Sequence, residues 1–301
     1  MSAPFLHPFD ITREEPLCAP LDYNLKSQLK DVDRCFKGEI TAAARLTRDV
    51  KLFHVRLVAP EERQRFSFHP GQFVMVELPG FGEVPISICG AQQGFIELCI
   101  REAGNVTAMI HRAGIGAKVG IRGPFGTYFP MERMKGHRIL LIAGGLGMAP
   151  LRAPIMHVTE NRSDYGEVRL LYGSTEPGQL LFDYQYEQWR RVDGITISLI
   201  VDHPDAAWRG AVGTVTKLLE EITFPLDDSY AIVCGPPVMF KFVCSELSSM
   251  GMPRDRMFVS LERRMQCGMG KCCRCNVGST YVCMDGPVFD FWTVMNLKEA
   301  I

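Results

Sequence analysis

The 301-residue sequence predicts three consecutive units: a small antiparallel β-barrel, a doubly wound α/β domain and a short cysteine-rich loop domain at the end. Three observations carry this. Short β-rich runs separated by Pro and Gly turns fill residues 38–126. Compact apolar runs then alternate with helical stretches, the pattern of a parallel sheet covered by helices. Finally, five of the eleven cysteines crowd into residues 267–283. The expected boundaries are an extension at 1–37, the barrel at 38–135, the α/β domain at 136–254 and the tail at 255–301.

Taken in order, the extension is rich in Pro and charge, with one amphipathic stretch near 24–35. Its start, MSAPFLHPFDITREEP, lacks the basic segment and apolar core of a secretory signal, so a cytoplasmic chain is expected. The barrel strands are read from EITAAARLT, VKLFHVRLV, QFVMVEL, ISICGA, FIELCI and AKVGIRG. In the α/β domain, strands are expected at Arg138–Ala143, Val168–Gly173, Ile195–Val201 and Tyr230–Gly235. Helices are expected from Pro150 and over Leu180–Arg191, Val212–Glu221 and Pro237–Met250. The tail shows no helix longer than a turn or two.

Composition narrows the function classes. Hydrophobic residues at 47% and charged residues at 22% are ordinary for a globular chain. Lys+Arg 33 against Asp+Glu 34 leaves a net charge of -1, which supplies no cationic field for nucleic acid. The longest apolar run, Ile139–Leu151, contains three glycines and falls short of the roughly 18 residues that span a bilayer, so no membrane span is expected.

In a reducing compartment, clustered cysteines more often hold metal than form disulfides. Cys267, Cys272, Cys275 and Cys283 read C-x4-C-x2-C-x7-C, and the first three match the plant-type iron–sulfur spacing. A zinc ribbon would show two C-x2-C pairs where only one tidy pair exists, so zinc and free thiols stand behind iron–sulfur as alternatives. Cys273, between two expected ligands, is read as a bystander.

Two further places suggest phosphate and ring binding. The turn AGGLGMAP (Ala143–Pro150) follows a strand and opens a helix, so Gly144, Gly145 and Gly147 can present backbone amides to a pyrophosphate. It departs from G-x-G-x-x-G because Pro150 stands at the third glycine, and a plain βα turn is the competing reading. The later strand ends YGS and CGPP place small residues where ligands of open α/β sheets bind, with Cys234 either lining a pocket or packing as core. In the barrel, GEVPISICG sets Ser87 at a strand start, where a hydroxyl can meet a flavin N5. Downstream, Arg101, Gly104 and Thr107 precede a helix and form a candidate phosphate cradle, a capped helix being the plain alternative.

With these signatures in one order, the sequence resembles the ferredoxin–NADP reductase superfamily. More closely, it is similar to the flavin and iron–sulfur electron-transfer subunits of dihydroorotate dehydrogenase and of cytoplasmic sulfhydrogenases, the gamma subunits. The carrying segments are GQFVMVELP, VPISI, GNVT, GPFG, AGGLGMAP, YGS, CGPPVM and LERRMQCGMGKCCRCNVGSTYVCMDGPVF. The resemblance covers about residues 38–290, the tail being its most specific part. It implies FAD, NAD(P)H and a [2Fe-2S] cluster as cofactors. Pro85, Ile86 and Ser87 would line the isoalloxazine, and Gly104, Val106 and Thr107 would hold the FAD pyrophosphate. Gly144, Gly145 and Gly147 would face the nicotinamide nucleotide, with Gly235 and Pro236 near its ring. Many members carry Arg where this chain has Val84, which leaves Arg101 as the cation for the flavin phosphates. The implied activity is that of a diaphorase subunit, with Ser87 and Cys234 at the reacting ring and a partner such as a nickel–iron hydrogenase module. A dihydroorotate dehydrogenase partner, a self-sufficient flavin reductase and a zinc-stabilised nucleotide-binding subunit are the alternatives. Val288, Phe289, Phe291 and Trp292, beside the cysteines, are the expected partner contact, against packing of the tail onto the sheet.

Overall fold

The computed structural model describes residues 34–92 and 94–297, so residues 1–33 of the expected extension, with most of the stretch near 24–35, lie outside the described residues. The first unit is a closed barrel of β1 (Phe36–Arg45), β2 (Val50–Leu57), β3 (Phe73–Leu78), β4 (Gly82–Gln92), β5 (Phe95–Arg101) and β6 (Lys118–Phe125), in the order β1-β2-β5-β4-β3-β6. Every neighbouring pair is antiparallel. Inward positions such as Phe53, Val74, Val76, Ile88, Leu98 and Ile121 are almost wholly buried and form the barrel core, while the opposite faces of β2 and β3 are largely buried as well, against the rest of the chain. Helix α1 (Pro60–Arg65) joins β2 to β3, and α2 (Asn105–Ala113) joins β5 to β6.

The second unit is built on β7 (Arg138–Gly144), β8 (Val168–Ser174), β9 (Ile195–Val201), β10 (Ala211–Val212), β11 (Ser229–Cys234), β12 (Met257–Ser260) and, from the tail, β15 (Val288–Asp290). The strand order is β10-β9-β8-β7-β11-β12-β15, parallel throughout except for the last pair. From β7 the chain runs outward through β8 and β9, then returns to place β11 on the other side of β7. That reversal opens a crevice at the carboxyl ends of β7 and β11, the position where open α/β sheets bind ligands. Helices α3 (Met148–Glu160), α4 (Asp183–Arg190) and α5 (Pro237–Ser249) cover the sheet.

The structure differs from the sequence-based expectation in two places. Val212–Glu221 is not an α-helix: Ala211–Val212 is a short strand beside β9, and a 3-10 stretch follows over Val215–Glu221. The expected boundary after residue 254 also falls before β12, which hydrogen-bonds to β11 inside the sheet. The cysteine-rich part is therefore an excursion between two strands of the same sheet, β12 and β15. It contains the small hairpin β13 (Asn276–Val277) and β14 (Thr280–Tyr281) and the turn α6 (Val282–Asp285), and α7 (Phe291–Asn296) follows it. No helix among the described residues is long and apolar enough to cross a membrane.

Candidate functional site

One cleft of about 870 Å³ runs between the barrel, the crevice at β7 and β11, and the chain leaving β12. Its barrel wall includes Val84, Pro85, Ile86 and Ser87 on β4, Arg101 at the end of β5, and Gly104 to Thr107 at the start of α2. Its other wall includes Gly147, Ala149 and Pro150 at the start of α3, Cys234 and Gly235 after β11, and Ser260 to Gln266 beyond β12. The structure thus brings together most residues singled out in the sequence. Gly144, Gly145 and Pro236 do not line the cleft; Gly144 packs behind it against Pro236 and Met239.

At the β4 wall, Pro85 and Ser87 lie opposite Met75 and Phe73 of β3, and the Ser87 hydroxyl makes no hydrogen bond among the described residues. At the α2 wall, Asn105, Val106 and Thr107 carry the first helical amides, which have no acceptor inside a helix and concentrate positive potential at its start. The Thr107 hydroxyl accepts from the Ala103 amide at 2.9 Å and gives its proton to the Gly104 carbonyl at 3.0 Å. It therefore shapes the turn, leaving the backbone amides and the exposed guanidinium of Arg101 as the donors facing an anion. This donor set and the adjoining neutral wall of Pro85, Ile86 and Ser87 fit a flavin dinucleotide.

At the crevice, a Cβ on Gly147 would strike the Cys234 carbonyl and come within 2.7 Å of the Gly235 nitrogen. Only glycine lets the start of α3 lie this close to the end of β11, and the closeness keeps the floor shallow enough for a pyrophosphate to reach backbone amides. Cys234 is buried, and burial together with the Glu262 charge raises its thiol well above the ordinary range, so it presents a neutral wall. Glu262 itself, missed in the sequence, has its pKa raised by desolvation and partly restored by Arg101, although its side chain keeps solvent contact. Arg263, Arg264 and Arg274 of the tail line the same cleft and were likewise not singled out. A charged residue in a loop reads as solvated surface until the fold shows what it faces.

The cysteine loop closes the third side. Amides of Met269, Lys271 and Cys272 point at Cys267 Sγ at 3.3–3.4 Å, the Gly270 amide at Cys283 Sγ at 3.1 Å, and the Cys283 amide at Cys275 Sγ at 3.4 Å. Gly268, with φ +73°, makes the loop's first turn, and a Cβ there would meet Met75 at 2.9 Å and Phe125 at 3.1 Å. Burial pushes the Cys267 thiol up, but the amides of Met269 and Cys272, with the Cys272 side chain, outweigh it and bring it down to about 7. Cys283 is pushed up to about 12, by burial first and by Cys275 next. Amide donors converging on sulfur suit thiolates that carry charge onto a metal. Among the described residues, no three Cys, His, Asp or Glu side chains converge closely enough to hold an ion as they stand, so a metal bound here would have to draw the thiols closer together. Beside the loop, Val288, Phe289 and Phe291 are buried, which corrects their expected partner contact to packing of the tail; Trp292 alone of the four is exposed, at 57%.

Comparison with known proteins gives this geometry its class. The chain matches the oxidoreductase FAD-binding domain over residues 37–129 and the oxidoreductase NAD-binding domain over 141–245. Residues 262–295 match the iron–sulfur cluster binding domain of dihydroorotate dehydrogenase B. Among solved structures, NADH-dependent reduced ferredoxin–NADP oxidoreductase shares the fold with a TM-score of 0.69 at 23% identity, covering 85% of this chain and 88% of that one. The protein is therefore an FAD- and NAD-binding oxidoreductase with an iron–sulfur domain at its C-terminal end.

The chain is 38% identical to sulfhydrogenase 2 subunit gamma of Pyrococcus furiosus over 285 residues, covering 89% of this chain and 99% of the relative. It is 31% identical to a probable dihydroorotate dehydrogenase B electron transfer subunit of Thermococcus kodakarensis, covering 81% and 91%. It belongs to the ferredoxin–NADP reductase-like family of electron-transfer subunits that these two represent.

Proposed function

We propose that this chain is the diaphorase subunit of a larger cytoplasmic redox complex, passing electrons between NAD(P)H, FAD and a [2Fe-2S] cluster, to or from a catalytic partner such as a nickel–iron hydrogenase module. The observation that carries the reading is the single cleft onto which the flavin-type wall of β4, the crevice at β7 and β11, and the approach to the cysteine loop all open. Flavin supplies the needed chemistry when bound, because it takes up a hydride and gives out electrons singly.

The chain's own residues do the rest. Pro85 and Ile86 shape the ring platform, Ser87 offers its free hydroxyl at the ring edge, and the α2 amides with Arg101 hold the diphosphate. Gly147 in the cleft and Gly145, open beside it, admit the nicotinamide nucleotide to backbone amides, with Gly144 packed behind them against Pro236, while Gly235 and the neutral Cys234 thiol border its ring and exclude water. Cys267, Cys272, Cys275 and Cys283 hold the cluster. The similarity to a sulfhydrogenase gamma subunit over nearly its whole length favours a hydrogenase partner. The match of the tail to the dihydroorotate dehydrogenase B domain supports the second reading, a dihydroorotate dehydrogenase complex.

The test is the absorbance spectrum of the anaerobically purified protein with its iron and acid-labile sulfide content. Flavin bands, iron–sulfur bands and equimolar iron and sulfide are expected. Flavin without iron would leave a simple flavin reductase, and zinc in place of iron would overturn the electron route.

A further inference from the structure

We propose that Arg122 is the positioning residue that clamps the cysteine loop to the flavin-side strand of the barrel and sets the electron affinity of the cluster held there. The proposal rests on the electron-transfer reading and adds to it a residue that the sequence analysis placed only in a barrel strand. Arg122, on β6, forks onto Glu83 of β4, with Nε to Oε2 at 3.1 Å and Nη2 to Oε1 and Oε2 at 2.8 and 2.7 Å. The same Nη2 donates to the Cys267 carbonyl at 3.0 Å. Its side chain is only 13% exposed and that of Glu83 29%, so the guanidinium is largely shielded while the carboxylate keeps some contact with water.

This one guanidinium joins three pieces of chain. Glu83 lies in the strand that leads directly to Pro85, Ile86 and Ser87. Cys267 is the first sulfur of the loop. The guanidinium also lies 5.7 Å from the centre of the Phe125 ring, which itself stops against Gly268. A planar fork fixes orientation as well as distance, which a lysine at this position cannot do.

Two consequences follow. The clamp fixes the separation between the ring platform and the cluster, and electron transfer is steeply sensitive to such placement. It also sets the local field. A cluster held by these thiolates would gain one negative charge with each electron it took up from bound reduced flavin, one ferric iron becoming ferrous with no proton or further reactant needed. A half-buried cation on the Cys267 carbonyl favours that added charge, and the Glu83 carboxylate opposes it.

The experiment uses the full-length holoprotein and the variants Arg122→Gln, Arg122→Lys and Glu83→Gln. Cluster potential is followed by EPR during redox titration, and the two transfers are timed separately by stopped flow. Arg122→Gln should lower the cluster potential and Glu83→Gln should raise it. Arg122→Gln and Arg122→Lys should slow flavin-to-cluster transfer by about tenfold or more, with flavin reduction by NADH or NADPH unchanged. If both Gln variants shift the potential in the same direction, or only the melting temperature falls, the proposal is overturned. Should Arg122→Gln not retain the cluster, Arg122→Lys decides, since an unaltered transfer rate in that variant also overturns it. Absence of iron–sulfur bands in the parent protein overturns the electron-transfer reading itself, before any variant is made.

Discussion

Cys272 and Cys273 are neighbours in sequence and both are exposed, but their sulfurs meet different groups, and the backbone explains why. Cys273 takes the left-handed conformation at φ +56°, which is costly for a non-glycine residue and turns its side chain away from the path of its neighbours. Its sulfur meets the Tyr281 hydroxyl at 3.4 Å. The Cys272 side chain instead hydrogen-bonds toward Cys267, whose sulfur gathers three amides. Cys273→Ser is therefore expected to keep the iron–sulfur absorbance and the iron content of the parent. Cys272→Ser should lose or grossly alter both, and a normal cluster in that variant would remove Cys272 from the ligand set. The spacing of the cysteines was legible in the sequence because a small rhombic cluster demands short, fixed intervals. Which member of a Cys-Cys pair faces Cys267 was not, since that depends on one backbone dihedral.

The strand–turn–helix from β7 through Gly144–Gly147 to α3 separates two kinds of glycine. Gly145, at φ +53°, has nothing within 4 Å of a Cβ built on it, so its surroundings are open. Gly147 has the Cys234 carbonyl in the way. Asn adopts the left-handed conformation readily, so Gly145→Asn should fold normally yet obstruct a nucleotide. Its flavin should be reduced slowly by NADH or NADPH and at the parent rate by dithionite. Gly147→Val should instead part α3 from β11 and impair both reductions together with thermal stability. Equal behaviour of the two variants would mean that the turn is only a scaffold. Element by element, the barrel strands and β7, β8, β9 and β11 were legible because each is long enough to show its period. Strands β10, β12 and β15, of two to four residues, were not: they exist because neighbouring strands offer them hydrogen bonds. Val212–Glu221 reads as helical by composition, but Ala211 and Val212 pair with β9, and Gly213 at φ +130° turns the chain into a 3-10 rather than an α-helical stretch.

At the scale of the whole molecule, the barrel and the α/β unit are joined by a buried charge pair that no sequence pattern announces. Arg152 on α3 and Glu97 on β5 are both wholly buried and meet at 2.7 Å. Arg152 also donates to the Cys89 carbonyl at 3.1 Å and to Gln185 Oε1 of α4 at 2.7 Å, while His54 of β2 meets the other Glu97 oxygen at 3.0 Å. Gly90 keeps the space clear, since a Cβ there would press on both partners. The network ties β4, whose earlier residues form the ring platform, to α3, whose first turn lies at the nucleotide crevice. Burial alone would push the Glu97 carboxyl up, but Arg152 and His54 more than offset it and hold it well below the ordinary carboxylate range. A carboxylate with a depressed folded-state pKa stabilises the fold above its unfolded value of about 4.3 and loses that contribution as pH falls below it. Equilibrium unfolding of the parent should therefore show stability declining below about pH 4.3, with a shallower decline in Glu97→Gln. At neutral pH, Glu97→Gln leaves Arg152 charged, buried and without its counter-charge, at a cost of about 3 to 5 kcal/mol. Adding Arg152→Met should recover much of that loss, because the charge that drives it is gone. The double variant should nonetheless reduce its flavin more slowly with NADH or NADPH than with dithionite, relative to the parent, because packing alone no longer fixes β4 against α3. Full recovery of stability together with parent rates would show that the pair holds the two units together without setting their register.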